Sequence, residues 1–473
     1  MPNVILVSLD TTRADHLSCY GHFRRTSPHL DRLAEEGVLF TDFFSPHIPT
    51  YPGHTTMMTG KDVYAHQVTG QSGAVPPPAG VRLIAEILKE QGFFTAAADN
   101  MGRWFEPGFQ LYKSYGWDSS ERGLRRGEAA AQASIEVIRA AAGQDKPFFL
   151  FLHFWDPHTP YLPPAPFDRM FYGGDEKDPD NASMDEVWRF DNFKYYFNEW
   201  MHGVTDVEFP KAQYDAEIAY MDACFAHVLT QLDELGLTGD TLLAISADHG
   251  EELDEHAHWF DHHGLYDTNV HIPMIMRCPD YLPAGVRVGG LTQMPDIAPT
   301  ILDFLDMGEI AREEKMTGAS LLSLIDSPAS TARGTTDFIH VTENTWMKKR
   351  GMRTHRWKLI VPLETPDLHG NSAVELYDLL HDPGELNNMA EDLPEVVTDL
   401  KARMDGWIAQ RLAATGLPDP IPVHPIPLLH IGNADKPFPR EGRFLRELAP
   451  PAPQEPEPES IESGDFVGYD REK

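Results

Sequence analysis

The run 45–60, SPHIPTYPGHTTMMTG, sets Thr50 just ahead of a helix-like stretch. A hydroxyl at a helix start feels the positive end of the macrodipole, which favours its ionised form. Pro49 and Pro52 stiffen the chain around it and bias the residue before each proline away from helix. Far downstream, Asp248-His249-Gly250 follows the hydrophobic run TLLAISA, and Asp10 closes the run NVILVSL. A nucleophile type and two acids at the ends of hydrophobic runs read as a metal site. Carboxylate and imidazole together suit Mn²⁺ or Zn²⁺, and Gly250 lets its loop come close. Taken singly, the same residues also read as a helix N-cap at Thr50 and a buried histidine at His249.

In open parallel sheets, ligands bind beyond the carboxyl ends of the strands. Asp10, Asp99, Asp156 and Asp248 each follow a strand-like run, so these carboxylates are expected to converge on one edge. The loop EELDEHAHWFDHH (251–263) holds five acids and four histidines. Solvent-facing acids and packing histidines account for most such runs, yet Asp156, Asp254, His256, His258, His262 and His263 offer enough ligands for a second ion. In WDPHTPY, His158 is a candidate proton donor or anion contact. Arg13, three residues after Asp10, is placed to neutralise a transferring oxyanion, although a loop arginine is more often an ion-pair residue.

The elements that must position these groups alternate. Strand-like runs at 4–9, 93–99, 147–154, 241–250 and 271–279 are interleaved with helical patterns at 29–36, 54–59, 82–92, 128–143, 212–236 and 295–308. That alternation predicts an α/β domain with a large, mostly parallel sheet covered on both faces. Residues 163–210, rich in turn formers and aromatics, read as an irregular active-site lid suited to an apolar or planar leaving group. Beyond about residue 333 come short strands and a final helix at 391–413, so a small antiparallel sheet with one packed helix is expected. The resulting division is 1–332, a catalytic domain; 333–415, a small subdomain; and 416–473, a Pro-rich acidic extension. Its last part, 450–473, is too poor in core formers to fold alone and could run over another subunit of a homo-oligomer.

With 39 basic against 73 acidic residues, the formal net charge is −34, a field that argues against nucleic acid as a partner. Cys19, Cys224 and Cys278 lack any paired spacing, which fits a reducing cytoplasm. The apolar run before Asp10 is too short for a signal peptide or a membrane span.

Several motifs, in order, resemble the sulfatase family of the alkaline phosphatase superfamily. They are NVILVSLDTTRADHLSCYG at the first strand and loop, PTYPGHTTMMTG at the nucleophile helix, KPFFLFLHFWDPHTPY at the substrate-histidine strand, SADHGEELDEH at the second metal loop and ELYDLLHDPGELNNMA near the end. The resemblance implies an alkaline phosphatase-like fold. It implies Asp10, Thr50, Asp248 and His249 as ligands of one divalent metal, and His158 as a substrate contact. His263 falls where many members have a substrate-binding lysine, His66 matches a histidine near the nucleophile, and Arg103 stands imperfectly for another lysine.

The departures matter as much. Members usually carry a cysteine or serine, converted to formylglycine, within C/S-x-P-x-R; here those positions are Thr50, Pro52 and His54. Threonine cannot become formylglycine. Thr11 replaces the usual second aspartate, which removes a hard carboxylate and disfavours Ca²⁺. A threonine sulfate ester lacks the formylglycine route of release, whereas a threonine phosphate or phosphonate is open to attack by water at phosphorus. The expectation is a metal-dependent hydrolase of a small anionic ester, whether phosphodiester, phosphomonoester or phosphonate monoester, working through a Thr50 adduct. A sulfatase using unmodified Thr50, or an inactive metal-binding scaffold, is the alternative.

Overall fold

The computed structural model describes residues 1–71, 75–115, 126–325, 334–365, 367–370 and 373–426. Its main sheet has eight strands. Asn3–Leu9 lies in the middle, parallel to Thr241–Ser246 on one side and to Phe148–Phe154 on the other. Phe94–Ala98 and Leu111–Lys113 continue the parallel order outward. On the opposite flank Met274–Arg277 runs antiparallel to both of its neighbours, Thr241–Ser246 and Val38–Phe40. The sheet is therefore mostly parallel, as the alternation predicts, with one reversed strand that periodicity could not reveal.

Both faces are covered, and the pleat shows why residues 4–7 of the central strand are all apolar. Ile5 and Val7 pack with Val137, Phe225 and Val228 of helices Gly127–Ala142 and Glu208–Glu234. Val4 and Leu6 point the other way, into a layer containing Met57, Ile87 and Ile301. Alternate residues must serve opposite layers, so the strand stays apolar from Val4 through Val7, and Ser8 near its end is buried with its hydroxyl 2.9 Å from His54 Nε2.

A second, five-stranded sheet runs in the order Glu375–Asp378, Trp357–Pro362, Lys348–Thr354, Phe338–Asn344 and His47–Ile48. The first four pair antiparallel. His47–Ile48 joins them in parallel and leads straight into the helix Thr50–Thr59. The C-terminal sheet thus anchors the segment that presents Thr50. Helix Pro394–Thr415 packs against it through Leu400, Met404 and Ile408.

Two expectations change. Helix formation begins at Thr50 rather than at His54, because a proline at the third position falls in the first turn, where no intrahelical N–H bond is lost. The 163–210 stretch is no open lid. Phe193, Tyr196, Phe197 and Trp200 are buried in the main core against Tyr161, Phe260 and Trp346, and the stretch carries helices Asp185–Arg189 and Asp191–Trp200. Those rings are spent on packing, so they carry no argument about the leaving group. Residues 416–426 fold back on their own chain: Arg350 pairs with Asp419 at 2.9 Å, and Asn344 donates to the Pro425 carbonyl. The acidic stretch 450–473, with the oligomer contact expected of it, lies outside the described residues. No described helix is long and apolar enough to cross a membrane.

Candidate active site

Thr50 opens a helix in which every residue is buried. A buried helix rich in hydroxyls needs internal partners, and Thr55, Thr56 and Thr59 each donate to the carbonyl four residues back, at 2.6–2.8 Å. Close approach to the Asp248 loop depends on Gly53, where a Cβ would sit 2.9 Å from the Asp248 carbonyl oxygen. The two elements are packed backbone to backbone.

Asp10, Asp248 and His249 converge there, each offering a ligand atom within 4.8 Å of the others, all buried. Nδ1 of His249 donates to the Gly250 carbonyl at 2.9 Å, so its Nε2 holds a lone pair. That Nε2 is 3.1 Å from Thr50 Oγ1 and 3.2 Å from Asp248 Oδ2. Asp10 Oδ1 and Asp248 Oδ2 are buried without hydrogen-bond partners, as is Thr11 Oγ1. Buried carboxylate oxygens left bare are costly unless a cation satisfies them, so these residues fit a divalent ion. Thr11 holds a left-handed φ of 53°, unusual for a β-branched residue and costing about 1–3 kcal/mol. Its amide donates to Asp248 Oδ1 at 3.2 Å and its carbonyl accepts from the Tyr214 hydroxyl at 2.7 Å, which together hold it.

Two histidines support the cluster from behind. His153, next to the end of the strand Phe148–Phe154, reaches Asp10 Oδ2 at 3.2 Å with Nε2 and Asp99 Oδ1 at 2.7 Å with Nδ1. Burial opposes its charge, but the two carboxylates outweigh this and raise its pKa to about 9. Burial likewise opposes ionisation of Asp10, yet His153, His158 and His249 hold its carboxyl below the usual range. His54 donates from Nδ1 to the Thr50 carbonyl at 2.9 Å, meets Ser8 Oγ with Nε2 at 2.9 Å and is kept neutral by burial. His153 carries no signal of its role in the sequence, and only the strand register sets it opposite Ser8, two residues before Asp10.

The remaining expected residues divide. His158 stands beside the cluster, its ring 4.9 Å from that of His262, which in turn stacks on His249 at 4.7 Å. His158 Nδ1 donates to the Thr159 carbonyl at 2.7 Å, and burial lowers its pKa to about 4, so Nε2 is an acceptor. His263 turns away, its Nε2 2.8 Å from that of His369. The ring beside His249 is therefore its neighbour His262. Burial opposes charge on His262, but Asp261 and Glu251 raise its pKa to about 9.

Arg13 is buried and fully engaged, donating to Asp15, to Glu255 and to the Glu251 carbonyl; it braces the acidic loop. His66 meets Thr56 Oγ1 and the Val68 amide, behind the helix. Arg103 lies over the Tyr51 ring at 5.6 Å. Asp156 faces Glu217 rather than the cluster, Asp254 pairs with Lys211 at 3.1 Å and His256 with Glu252 at 3.1 Å.

A large mostly parallel sheet, a C-terminal antiparallel sheet and an acid–histidine cluster at a buried threonine define the class of metal-dependent ester hydrolases. The sulfatase family profile matches residues 2–307, and the profile of the N-sulphoglucosamine sulphohydrolase C-terminal region matches 254–410. The chain belongs to the sulfatase family of the alkaline phosphatase superfamily. Human iduronate 2-sulfatase is 22% identical over 389 residues, covering 68% of this chain and 66% of its own length. The multifunctional alkaline phosphatase superfamily protein PehA of Trinickia caryophylli is 25% identical over 405 residues, covering 68% and 77%. The fold matches the phosphonate monoester hydrolase of Agrobacterium radiobacter with a TM-score of 0.68, at 22% identity, over 87% of this chain and 96% of that one.

Proposed function

We propose that the chain hydrolyses phosphoryl or phosphonyl esters with Thr50 as the nucleophile. The observation that carries this is the approach of Thr50 Oγ1 to His249 Nε2, 3.1 Å, beside the bare carboxylate oxygens of Asp10 and Asp248. Asp10, Asp248, His249 and Thr50 would hold a divalent cation, with Mn²⁺ or Zn²⁺ suiting the imidazole and the missing second aspartate better than Ca²⁺. Bound there, the ion would lower the pKa of the Thr50 hydroxyl and neutralise charge on the anionic ester.

The protein groups do the rest. With its hydroxyl proton released to solvent, Thr50 Oγ forms a bond to phosphorus as the bond to the leaving oxygen breaks, and His262, charged between Asp261 and Glu251, supplies that oxygen with a proton. Water then attacks phosphorus and releases Thr50, giving a proton to Nε2 of His158, whose Nδ1–H is committed to the Thr159 carbonyl. The strained Thr11 backbone and the Gly53 contact keep the nucleophile and the acid loop in register. No formylglycine enters this scheme.

Sulfate esters are the second reading, and the relatives named as sulfatases favour it. Rates on an aryl phosphate, phosphodiester, phosphonate ester and sulfate, each with Mn²⁺, Zn²⁺ or Ca²⁺, decide between them. Preference for a phosphorus ester with Mn²⁺ or Zn²⁺ supports the proposal; preference for the sulfate replaces it, and inertness towards all four favours a scaffold.

A further inference from the structure

Behind the Thr50 site, three imidazoles from two parts of the chain meet. His258 and His263 come from the loop after the Thr241–Ser246 strand, and His369 from a turn after Trp357–Pro362 in the C-terminal sheet. One ring nitrogen of each lies within 4.8 Å of the others, and the Nε2 atoms of His263 and His369 are 2.8 Å apart. For tetrahedral zinc with Zn–N of about 2.0–2.1 Å, ligand nitrogens sit about 3.4 Å apart, between those two values.

Hydrogen bonding fixes the lone pair of one ring. His258 Nδ1 donates to the His256 carbonyl at 2.8 Å, leaving its Nε2 bare, buried and without a partner. Nδ1 of His263 lies 3.7 Å from Asp261 Oδ1, beyond hydrogen-bond distance, and is buried without a hydrogen-bond partner. His263 and His369 can share only one proton between their facing nitrogens, so without a cation the third ring brings one more lone pair than the cluster can satisfy. Burial and the neighbouring rings drive His258 and His369 to the neutral form that a metal requires.

The cluster is separate from the catalytic one. Asp261 lies between them, its Oδ1 3.7 Å from Nδ1 of both His262 and His263, and only His262 stacks on His249. A comparable group, His16 and His22 about Asp215, does not make a site, because Arg24 already occupies that carboxylate at 2.8 Å.

We infer that His258, His263 and His369 bind a zinc-like divalent transition ion that ties the 255–263 loop to the C-terminal sheet. Water completes the coordination. The inference stands whether or not Thr50 is the nucleophile.

The test is the metal content of the full chain loaded with Zn²⁺ or Co²⁺ and freed of loose ions by gel filtration. Wild type should carry one equivalent more than His369→Ala or His258→Gln. Asp248→Asn should keep that equivalent together with the visible bands of tetrahedral Co²⁺, which both histidine variants should lose. Equal metal content in wild type and the histidine variants, or no tetrahedral Co²⁺ signal in Asp248→Asn, overturns the inference. Should the histidine variants not fold, the Asp248→Asn spectrum decides. Loss of the catalytic ion alone would count against the proposed function and leave this site standing.

Discussion

His153 Nε2 lies 3.2 Å from Asp10 Oδ2 while its Nδ1 lies 2.7 Å from Asp99, so a single charged imidazole binds two buried carboxylates across neighbouring strands. Removing it would leave Asp10 Oδ2 without this partner, while Asp99 would keep the Tyr112 hydroxyl. His153→Gln should weaken metal affinity by roughly 10–100-fold, the usual effect of losing a group that orients a ligand. Competition with a chelating dye measures this, and affinity equal to wild type would show that Asp10 needs no support.

Gly53→Ala probes the packing of the nucleophile helix on the acid loop. The new Cβ would sit 2.9 Å from the Asp248 carbonyl oxygen and 3.3 Å from Asp248 Cβ, both too close to tolerate without movement. A displacement on the order of 1 Å at a reacting group can cost about 100-fold in rate. Turnover should therefore fall by at least about 10-fold. Steady-state kinetics beside thermal unfolding checks this; unchanged kcat would mean that the two elements move independently.

His262→Ala and His263→Ala should part company. Only His262 stacks on His249 and neighbours His158, so its loss should lower kcat/KM by roughly 10-fold or more. His263 belongs to the cluster with His258 and His369, and its loss should appear chiefly in stability. Equal kinetic defects would contradict this division.

Asp156 and Glu217 form a buried carboxyl pair beneath the loop. Burial raises Asp156 to about 7, and burial together with the Asp156 charge raises Glu217. Because the folded state binds protons more tightly than the unfolded one, this contribution is fully present below the ordinary carboxyl pKa and is lost as pH rises towards and through 7. Glu217→Gln removes the like charge, so its stability should fall less than that of wild type between about pH 5 and about pH 8. Urea midpoints at the two pH values measure it, and parallel curves would refute it.

What was legible in the sequence was whatever chain position alone decides. Asp10 and Asp248 stand where apolar runs must stop, and the Pro-bracketed Thr50 stands just ahead of a helix-like stretch. His153 was hidden because FFLFLHF reads as an unbroken buried strand, and its partners lie 54 and 143 residues away. His54 was visible only as the residue standing where family members carry arginine, not as a bond back to the Thr50 carbonyl. The choice between His262 and His263 turns on loop geometry, since His256, Ala257 and Phe260 adopt left-handed backbone that no spacing rule anticipates. The aromatics of 163–210 had the composition of a lid and the packing of a core, a distinction that only their three-dimensional neighbours reveal.

The central claim is that Thr50 carries the reaction, and acid quenching during turnover of an aryl phosphonate ester, followed by mass mapping of the modified peptide, tests it most directly. The account predicts a phosphonyl group on Thr50. It predicts that Thr50→Ala loses both the adduct and turnover, by roughly 10³-fold or more, while folding normally. An adduct on another residue, or Thr50→Ala activity within a few-fold of wild type, would contradict it.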